Sequence, residues 1–540
     1  MHDLMNRPWY QFYVSKTELQ VPEVSLYALL GEAARQYADR TAVIYKQTEL
    51  TYRELKDQVD RLAAAWEEIG LQQGKRIGLM LGNHPDYIIS YYAAQALGLI
   101  VVQINPLYTP RELLQIVSDS EVSYLVADAT ALKTVRGVSE LYLFEHIFAA
   151  NMGADENHSL VSLAELKKYP HHLRKPAFVS VHNDVAVIQY TGGTTGKMKG
   201  AMLTHYGLVA NVIQSYVMYG DRMLLGQEVI LTAIPLYHVY AMTSAMNLGI
   251  YIGGTILLLS KFEVNDVLEN IKKYQPTFFP GVPKMYNAFV NHPEVERYGL
   301  DCLKLCSSGS APLPIEVLNR FEQLTGAMIS EGFGMSEASP TTHRNPSLKG
   351  RKVGSIGIPM PGTDCRIVDE NGQELPPKCV GEMIIKGPQI MKGYWNNEEE
   401  TYHSLQNGWL FTGDLATMDE QGYFYIVGRK KEMVIVGGFN IYPQEVESVL
   451  YEHPHVKEAA VVGVPDEANG EVVKAYVVPK DGCDIDLEEL KGHCYLKLTR
   501  YKVPKQYEIR DSLPRNTVGK LLKRLLIQEE KEKGERKSAN

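Results

Sequence analysis

Along the chain, short apolar runs alternate with longer stretches whose apolar residues recur at helical spacing. Arg76 to Leu81 reads as a strand, Tyr87 to Ala96 as a helix and Leu99 to Ile104 as the next strand. Repeated strand-helix-strand units of this kind predict parallel-type sheets covered by helices, an α/β class. After about Gly357 the rhythm changes to strand-like runs separated by turn signals, Asp369-Glu370-Asn371-Gly372 and Asp419-Glu420-Gln421-Gly422. That stretch, about 357–428, predicts a small β-rich subdomain. From Gly428 a new unit begins, with a strand at Met433 to Val436, a Gly437-Gly438 turn and a helix from about Pro443 to Tyr451. The charged run Glu529 to Lys537 reads as a frayed, solvated terminus. The expected organisation is a large N-terminal domain over 1–430 and a smaller, mobile α+β domain over 431–540, joined by a tight hinge near Lys431.

One uncharged stretch needs separate treatment, because Val229 to Ser260 contains no Asp, Glu, Lys or Arg. Pro235, His238, Asn247 and Gly253-Gly254 interrupt it, and Thr232, Thr243, Ser244 and Thr255 add polar groups that hydrocarbon penalises. A buried helix-plus-strand region is expected there, with no membrane span; peripheral membrane association is left open. Length supports more than one domain, since 540 residues exceed what a single core organises. A hydrophobic share of 45% and a charged share of 22% fit an ordinary globule. The net charge of -9 and pI near 6.0 give no global reason to bind nucleic acid. The six cysteines (Cys302, Cys306, Cys365, Cys379, Cys483, Cys494) form no C-x-x-C pair, so neither a zinc site nor a disulfide framework is indicated. Met1 to Trp9 lacks the features of a secretory signal, and a cytoplasmic location is expected.

The most informative segment is Tyr190-Thr191-Gly192-Gly193-Thr194-Thr195-Gly196-Lys197-Met198-Lys199-Gly200, directly after the strand-like Val185 to Gln189. Glycines let backbone N–H groups approach an anion, threonine hydroxyls add donors, and two lysines add positive charge. These are the parts of a polyphosphate loop. A Walker loop is excluded, because Thr191 replaces its first glycine and Met198 its final hydroxyl residue. A dinucleotide fingerprint fails where Gly332-Phe333-Gly334 is followed by Glu337. No G-x-S-x-G elbow or H-E-x-x-H helix offers hydrolase chemistry.

The loop resembles the signature of the acyl-adenylating superfamily, which includes the acyl-CoA synthetases, although Gly193 and Met198 depart from the usual wording. Further segments extend the resemblance over the whole chain. Glu331-Gly332-Phe333-Gly334-Met335-Ser336-Glu337 is similar to the superfamily's aromatic segment, which implies Phe333 as the adenine platform and Glu337 as the Mg²⁺ ligand. Thr412-Gly413-Asp414 resembles the ribose-binding segment. Gly428-Arg429-Lys430-Lys431 resembles the hinge, with Arg429 toward nucleotide and Lys431 as the pivot. Pro514 to Lys520 resembles the C-terminal catalytic loop.

The resemblance implies an ATP-dependent acid-thiol ligase that forms acyl-AMP and passes the acyl group to coenzyme A. Its implied catalytic residues are Lys520, Thr194 and Glu337. Thr191 to Lys197, Lys199, Gly309, Ser310, Ala311, Glu331 to Ser336, Asp414 and Arg429 would bind ATP or AMP. His238, Gly309 and Gly334 would face the acyl group, and Gly437, Gly438 and Phe439 the coenzyme A thiol arm. In relatives that activate α-amino acids, a carboxylate pairs the substrate ammonium near the segment matching Pro235 to Tyr240; none is present here. Acetate-activating relatives carry tryptophan at the position of Gly334, so a longer acid is admitted. Met391 to Asn396 and Pro8-Trp9 most resemble bacterial long-chain fatty acyl-CoA ligases. A medium- to long-chain fatty acid is therefore the expected substrate. An aromatic, coumarate-like acid, a carrier protein as acceptor, and a catalytically silent nucleotide-binding protein are the alternatives, and a homodimer is left open.

Overall fold

The computed structural model describes residues 2–13, 18–150, 160–192, 198–346, 350–436, 439–466, 470–515 and 520–538. By contacts the chain separates into two compact units, one of residues 1–364 and 385–410, the other of residues 365–384 and 411–540.

Among the described residues the first unit is built on two large sheets. One has nine strands, in the order Ile358–Pro359, Thr341–Arg344, Met328–Gly334, Leu305–Ser308, Phe278–Gly281, Val229–Thr232, Thr255–Leu258, Thr41–Tyr45 and Thr48–Thr51. The other has eight, in the order Gly393–Tyr394, Met198–Thr204, Val185–Gly192, Ile100–Gln103, Arg76–Met80, Val122–Ala127, His146–Ala149 and Val161–Ser162. The predicted unit appears as expected: Arg76–Met80 and Ile100–Gln103 are parallel neighbours joined through the helix Pro85–Ala96. All twelve residues of that helix are buried, which is why its sequence is apolar on every side rather than along one stripe. The mixed α/β class read from the sequence is the observed one.

Local chemistry sets the helix ends. Thr51 and Glu54 form a capping box at the start of Tyr52–Ile69, and Gly70, in the left-handed region at φ +100°, closes it. The uncharged stretch 229–260 folds as a strand, a helical segment and a second strand. Val239–Ala241 leads into a π-helical turn at Met242–Asn247, then Leu248–Tyr251, with Thr255–Leu258 beyond. Among the described residues no helix is long and apolar enough to cross a membrane.

In the second unit, residues 414–418 of the strand Trp409–Met418 pair antiparallel with Phe424–Arg429. A further sheet orders Phe439–Ile441, Val434–Val436, Gly470–Pro479 and Val456–Asp466, and Gln506–Ile509 pairs parallel with Gly470–Pro479. The helix Pro443–Tyr451 has the predicted bounds. The charged tail departs from expectation, because Lys523–Ser538 is a helix. Some of its charges are partnered: Glu530 meets Lys474 at 2.9 Å, and Lys533 meets Glu508 at 3.0 Å. The sequence run shows only the charges, whereas the partners come from strands far away in the chain.

Candidate active site

In the first unit, Val185–Gly192 and Met198–Thr204 form an antiparallel hairpin in which Thr191 lies opposite Lys199 and Gly192 opposite Met198. Of the expected phosphate loop, Thr191, Gly192, Met198 and Lys199 belong to these strands; Gly193, Thr194, Thr195, Gly196 and Lys197 lie outside the described residues. Gly200 faces Tyr190, and a Cβ on it would meet Ile188 Cγ2 at 2.7 Å, so the hairpin admits no side chain there. The Lys199 ammonium is paired with the Glu400 carboxylate and lies 5.4 Å from the centre of the Tyr394 ring. Trp395 ties the hairpin down, its N–H donating to Gly200 O at 2.8 Å and its indole N–H to Asp119 O at 3.1 Å.

The segment Glu331 to Gly334 ends the strand Met328–Gly334 beside the antiparallel strand Thr341–Arg344. A Cβ on Gly332 would lie 2.9 Å from His343 O, and one on Gly334 only 2.5 Å from Pro340 O. Both glycines are therefore required by the neighbouring backbone. Phe333, opposite His343, packs edge-on to its ring at 6.4 Å and is only partly buried, leaving ring surface available. Burial pushes the Glu331 carboxyl up, partly offset by backbone hydrogen bonds from Gly354 and Leu313. Met335 N donates to Pro340 O at 3.0 Å, and the short turn Ser336–Ala338 then buries Glu337. The Glu337 carboxylate accepts a hydrogen bond from Tyr394 Oη at 2.9 Å. Burial, reinforced by the adjacent Glu337 charge, pushes the Tyr394 phenol well above its ordinary range, so it remains a donor.

Gly309, Ser310 and Ala311 follow the strand Leu305–Ser308, with Ser310 in the left-handed region at φ +72° and both Ser310 and Ala311 exposed. A Cβ on Gly309 would rest 3.5 Å from the Tyr240 ring, and Tyr240 Oη is 3.0 Å from Ser307 Oγ. His238 caps the helical segment that carries Tyr240, its Nδ1 accepting from Tyr240 N at 3.3 Å. The approach to it is held by Asn83, whose side chain accepts from Leu236 N at 2.7 Å and donates to Ile234 O and Leu259 O. Gly309 and His238 thus both adjoin Tyr240 within this unit.

The second unit carries the other expected residues. Asp414 and Arg429 face each other across the ladder, with Arg429 Nε 3.0 Å from Asp414 Oδ1 and the carboxylate buried. Gly413, at φ +70°, lets the chain turn so that its N–H reaches Glu382 Oε1 at 3.1 Å, and Glu382 also holds Lys430 at 2.9 Å. Lys431 is exposed in the turn Lys430–Glu432. Phe439 is exposed and stacks on Tyr501 at 4.6 Å, while Gly437 and Gly438 lie outside the described residues. Lys520 is exposed beside the bridge pairing Arg515 with Leu521.

Residues 30–395 match the AMP-binding enzyme family, and residues 445–520 match the AMP-binding enzyme C-terminal domain. The chain belongs to the AMP-binding enzyme family. It is 42% identical to a long-chain-fatty-acid–CoA ligase of Bacillus subtilis, over 97% of this chain and 98% of that protein. It is 36% identical to a long-chain-fatty-acid–CoA ligase of Escherichia coli, over 99% of this chain and all of that protein. Its fold matches that of the anthranilate CoA ligase AuaEII, solved in complex with anthranoyl-AMP, with a TM-score of 0.87 and 26% identity over 95% of this chain and 99% of the other.

As an AMP-binding enzyme the chain calls for a test of how it would hold Mg²⁺. Among the described residues no group of three or more His, Cys, Asp or Glu side chains converges. Glu337 instead offers one buried carboxylate with a fixed donor behind it, which fits a cation that takes one or two carboxylates and completes its shell with substrate phosphate and water. Sequence reasoning about this AMP-binding enzyme missed Tyr394 and Glu400 as parts of the site. Tyr394 was visible within Met391 to Asn396, but nothing along the chain says that its hydroxyl returns to Glu337.

Proposed function

We propose that this AMP-binding enzyme activates a medium- to long-chain fatty acid with ATP, releasing pyrophosphate, and transfers the acyl group from acyl-AMP to coenzyme A. The carrying observation is the near-complete coverage of relatives named as long-chain-fatty-acid–CoA ligases. The uncharged stretch after Val229 supports an apolar acid, since each buried CH₂ gains about 0.8 kcal/mol. Attack of a carboxylate on the α-phosphate brings two anions together, so donors must meet the developing charge. In this reading Thr191 to Lys197 and Lys199 take the departing pyrophosphate, and Lys520 meets the carboxylate and phosphate oxygens. Phe333 stacks on adenine, Asp414 accepts from the ribose hydroxyls, and Arg429 supports Asp414. Mg²⁺, held through Glu337, neutralises phosphate charge when bound. Lys431 is the pivot about which residues 431–540 move, and Gly437, Gly438 and Phe439 border the path of the thiol arm. His238, Gly309 and Gly334 border the acyl group.

The test is AMP release dependent on coenzyme A, measured across acids from short to very long chain and across aromatic acids. A maximum among medium to long aliphatic acids is expected; a maximum among aromatic acids selects the second reading, an aryl-CoA ligase, which the likeness to an anthranilate ligase favours. Lys520→Ala separates the steps: acyl-AMP formation is lost, while thioester formation from supplied acyl-AMP is largely spared. Equal loss in both would overturn the assignment of Lys520.

A further inference from the structure

Three residues beyond Lys520, Lys523 begins the helix Lys523–Ser538 and turns its ammonium into the interior of the second unit. It meets Glu447 at 2.7 Å and Glu432 at 3.5 Å. Glu447 stands on the helix Pro443–Tyr451 and also accepts from Val461 N at 2.7 Å, so its position is tied to the strand Val456–Asp466 at the end of the sheet. Glu432 closes the turn Lys430–Glu432, directly after the expected pivot Lys431. Burial pulls the Lys523 ammonium down, but the two carboxylates outweigh it and hold the group charged; burial pushes the Glu447 carboxyl up.

The segment that bears Lys520 is pinned at both feet. On one side Arg515 pairs with Glu458 at 2.8 Å, and Glu458 lies on the same strand as Val461. On the other side is Lys523. Between them the Arg515–Leu521 bridge and the hydrogen bond from Leu522 N to Pro514 O at 2.8 Å close the neck. Three residues span at most ~10 Å of extended chain, so a displaced anchor at Lys523 moves Lys520 directly. A group that must meet transition-state charge is sensitive to shifts of about 1 Å. The largely buried cation also links this neck to the residue following the pivot.

We propose that Lys523, held by Glu447 and Glu432, is a positioning residue that sets where Lys520 stands for acyl-AMP formation. The inference rests on the reading of Lys520 given above. It is tested with Lys523→Met/Glu447→Gln, which leaves no unpaired charge on Glu447 and keeps an acceptor for Val461 N–H, beside Lys520→Ala and Lys523→Arg. Acyl-AMP formation is followed by ATP–pyrophosphate exchange with palmitate, or with the fastest acid of the AMP-release survey. Thioester formation is followed from the matching synthetic acyl-AMP and coenzyme A.

The double variant is expected to lose about tenfold or more in kcat for exchange, with KM for ATP and the thioester rate each within about twofold of the unaltered enzyme. Lys523→Arg should recover part of the exchange rate. Proportional loss in both half-reactions would reduce Lys523 to a folding role and overturn the inference, as would unaltered exchange. Intact exchange in Lys520→Ala overturns the reading of Lys520 and this inference together. Loss in Lys520→Ala beside intact exchange in the double variant overturns this inference alone.

Discussion

Tyr394 Oη and the Glu337 carboxylate lie 2.9 Å apart and join segments 57 residues distant in the chain. A hydrogen bond to a charged group contributes about 1.5–3 kcal/mol, so Tyr394→Phe frees the carboxylate from a fixed orientation while keeping the ring under Lys199. The Mg²⁺ concentration needed for half-maximal ATP–pyrophosphate exchange is expected to rise about threefold to tenfold. A metal titration with unchanged midpoint would show that Tyr394 does not support a metal ligand.

Gly334 faces the Pro340 carbonyl so closely that a methyl group there would stand 2.5 Å from its oxygen. Gly334→Ala therefore forces apart the strands that carry Phe333 and His343. A stability loss of about 1–3 kcal/mol is expected, together with reduced AMP release from long acids. Thermal unfolding and the AMP-release assay check the two effects separately. An alanine variant with unchanged melting and unchanged substrate range would contradict the strand-contact argument.

Arg429 holds Asp414 through Nε at 3.0 Å. In Arg429→Met the carboxylate loses that orientation, and KM for ATP should rise about threefold to tenfold, a modest effect because the guanidinium is partly exposed. Asp414→Asn should raise it by a similar factor, and the two changes together by little more than either alone. Fully multiplicative effects in a double-mutant cycle would show that the two side chains act independently.

His205 begins the helix His205–Tyr219 and accepts from Leu26 N at 3.4 Å. Burial pulls its imidazole from 6.5 down to about 4. The folded state resists a proton that the unfolded chain accepts, so stability from this group is complete above pH 6.5 and is lost as pH falls toward 4. The melting temperature should decline over that window, and His205→Gln should flatten the decline. A variant whose pH profile parallels that of the unaltered protein would assign the decline to other groups.

Much of this architecture is legible along the chain because it is encoded at short range. The apolar run before Met80, the buried helix that follows and the strand after it are set by local periodicity, and their parallel pairing follows from the helix that separates them. The helix Pro443–Tyr451 could be bounded from its proline start and its spacing. The role of Lys199 was read only in part: its charge beside glycines is evident, yet its pairing with Glu400 depends on a helix two hundred residues away. The tail after Lys523 is not legible along the chain for the same reason, since a run of mixed charges looks identical whether its partners are water or distant side chains.

By itself the sequence determined the class of chemistry, because the Thr191 to Lys199 segment, the glycine-flanked Phe333 and Lys520 near the end of the chain resemble a superfamily whose motifs place particular residue types at particular spacings. It also carried the expectation of an acid without an ammonium group, since no carboxylate stands in the stretch from Val229 to Ser260. Only the tertiary structure decided how those groups are held: that Gly334 is glycine because a neighbouring carbonyl leaves no room, that Glu337 is oriented by Tyr394, and that the neck beneath Lys520 adjoins a partly buried ion cluster. Periodicity and composition act over a few residues, whereas a hydrogen bond or a buried ion pair is specified by proximity in space, which the order of residues does not display.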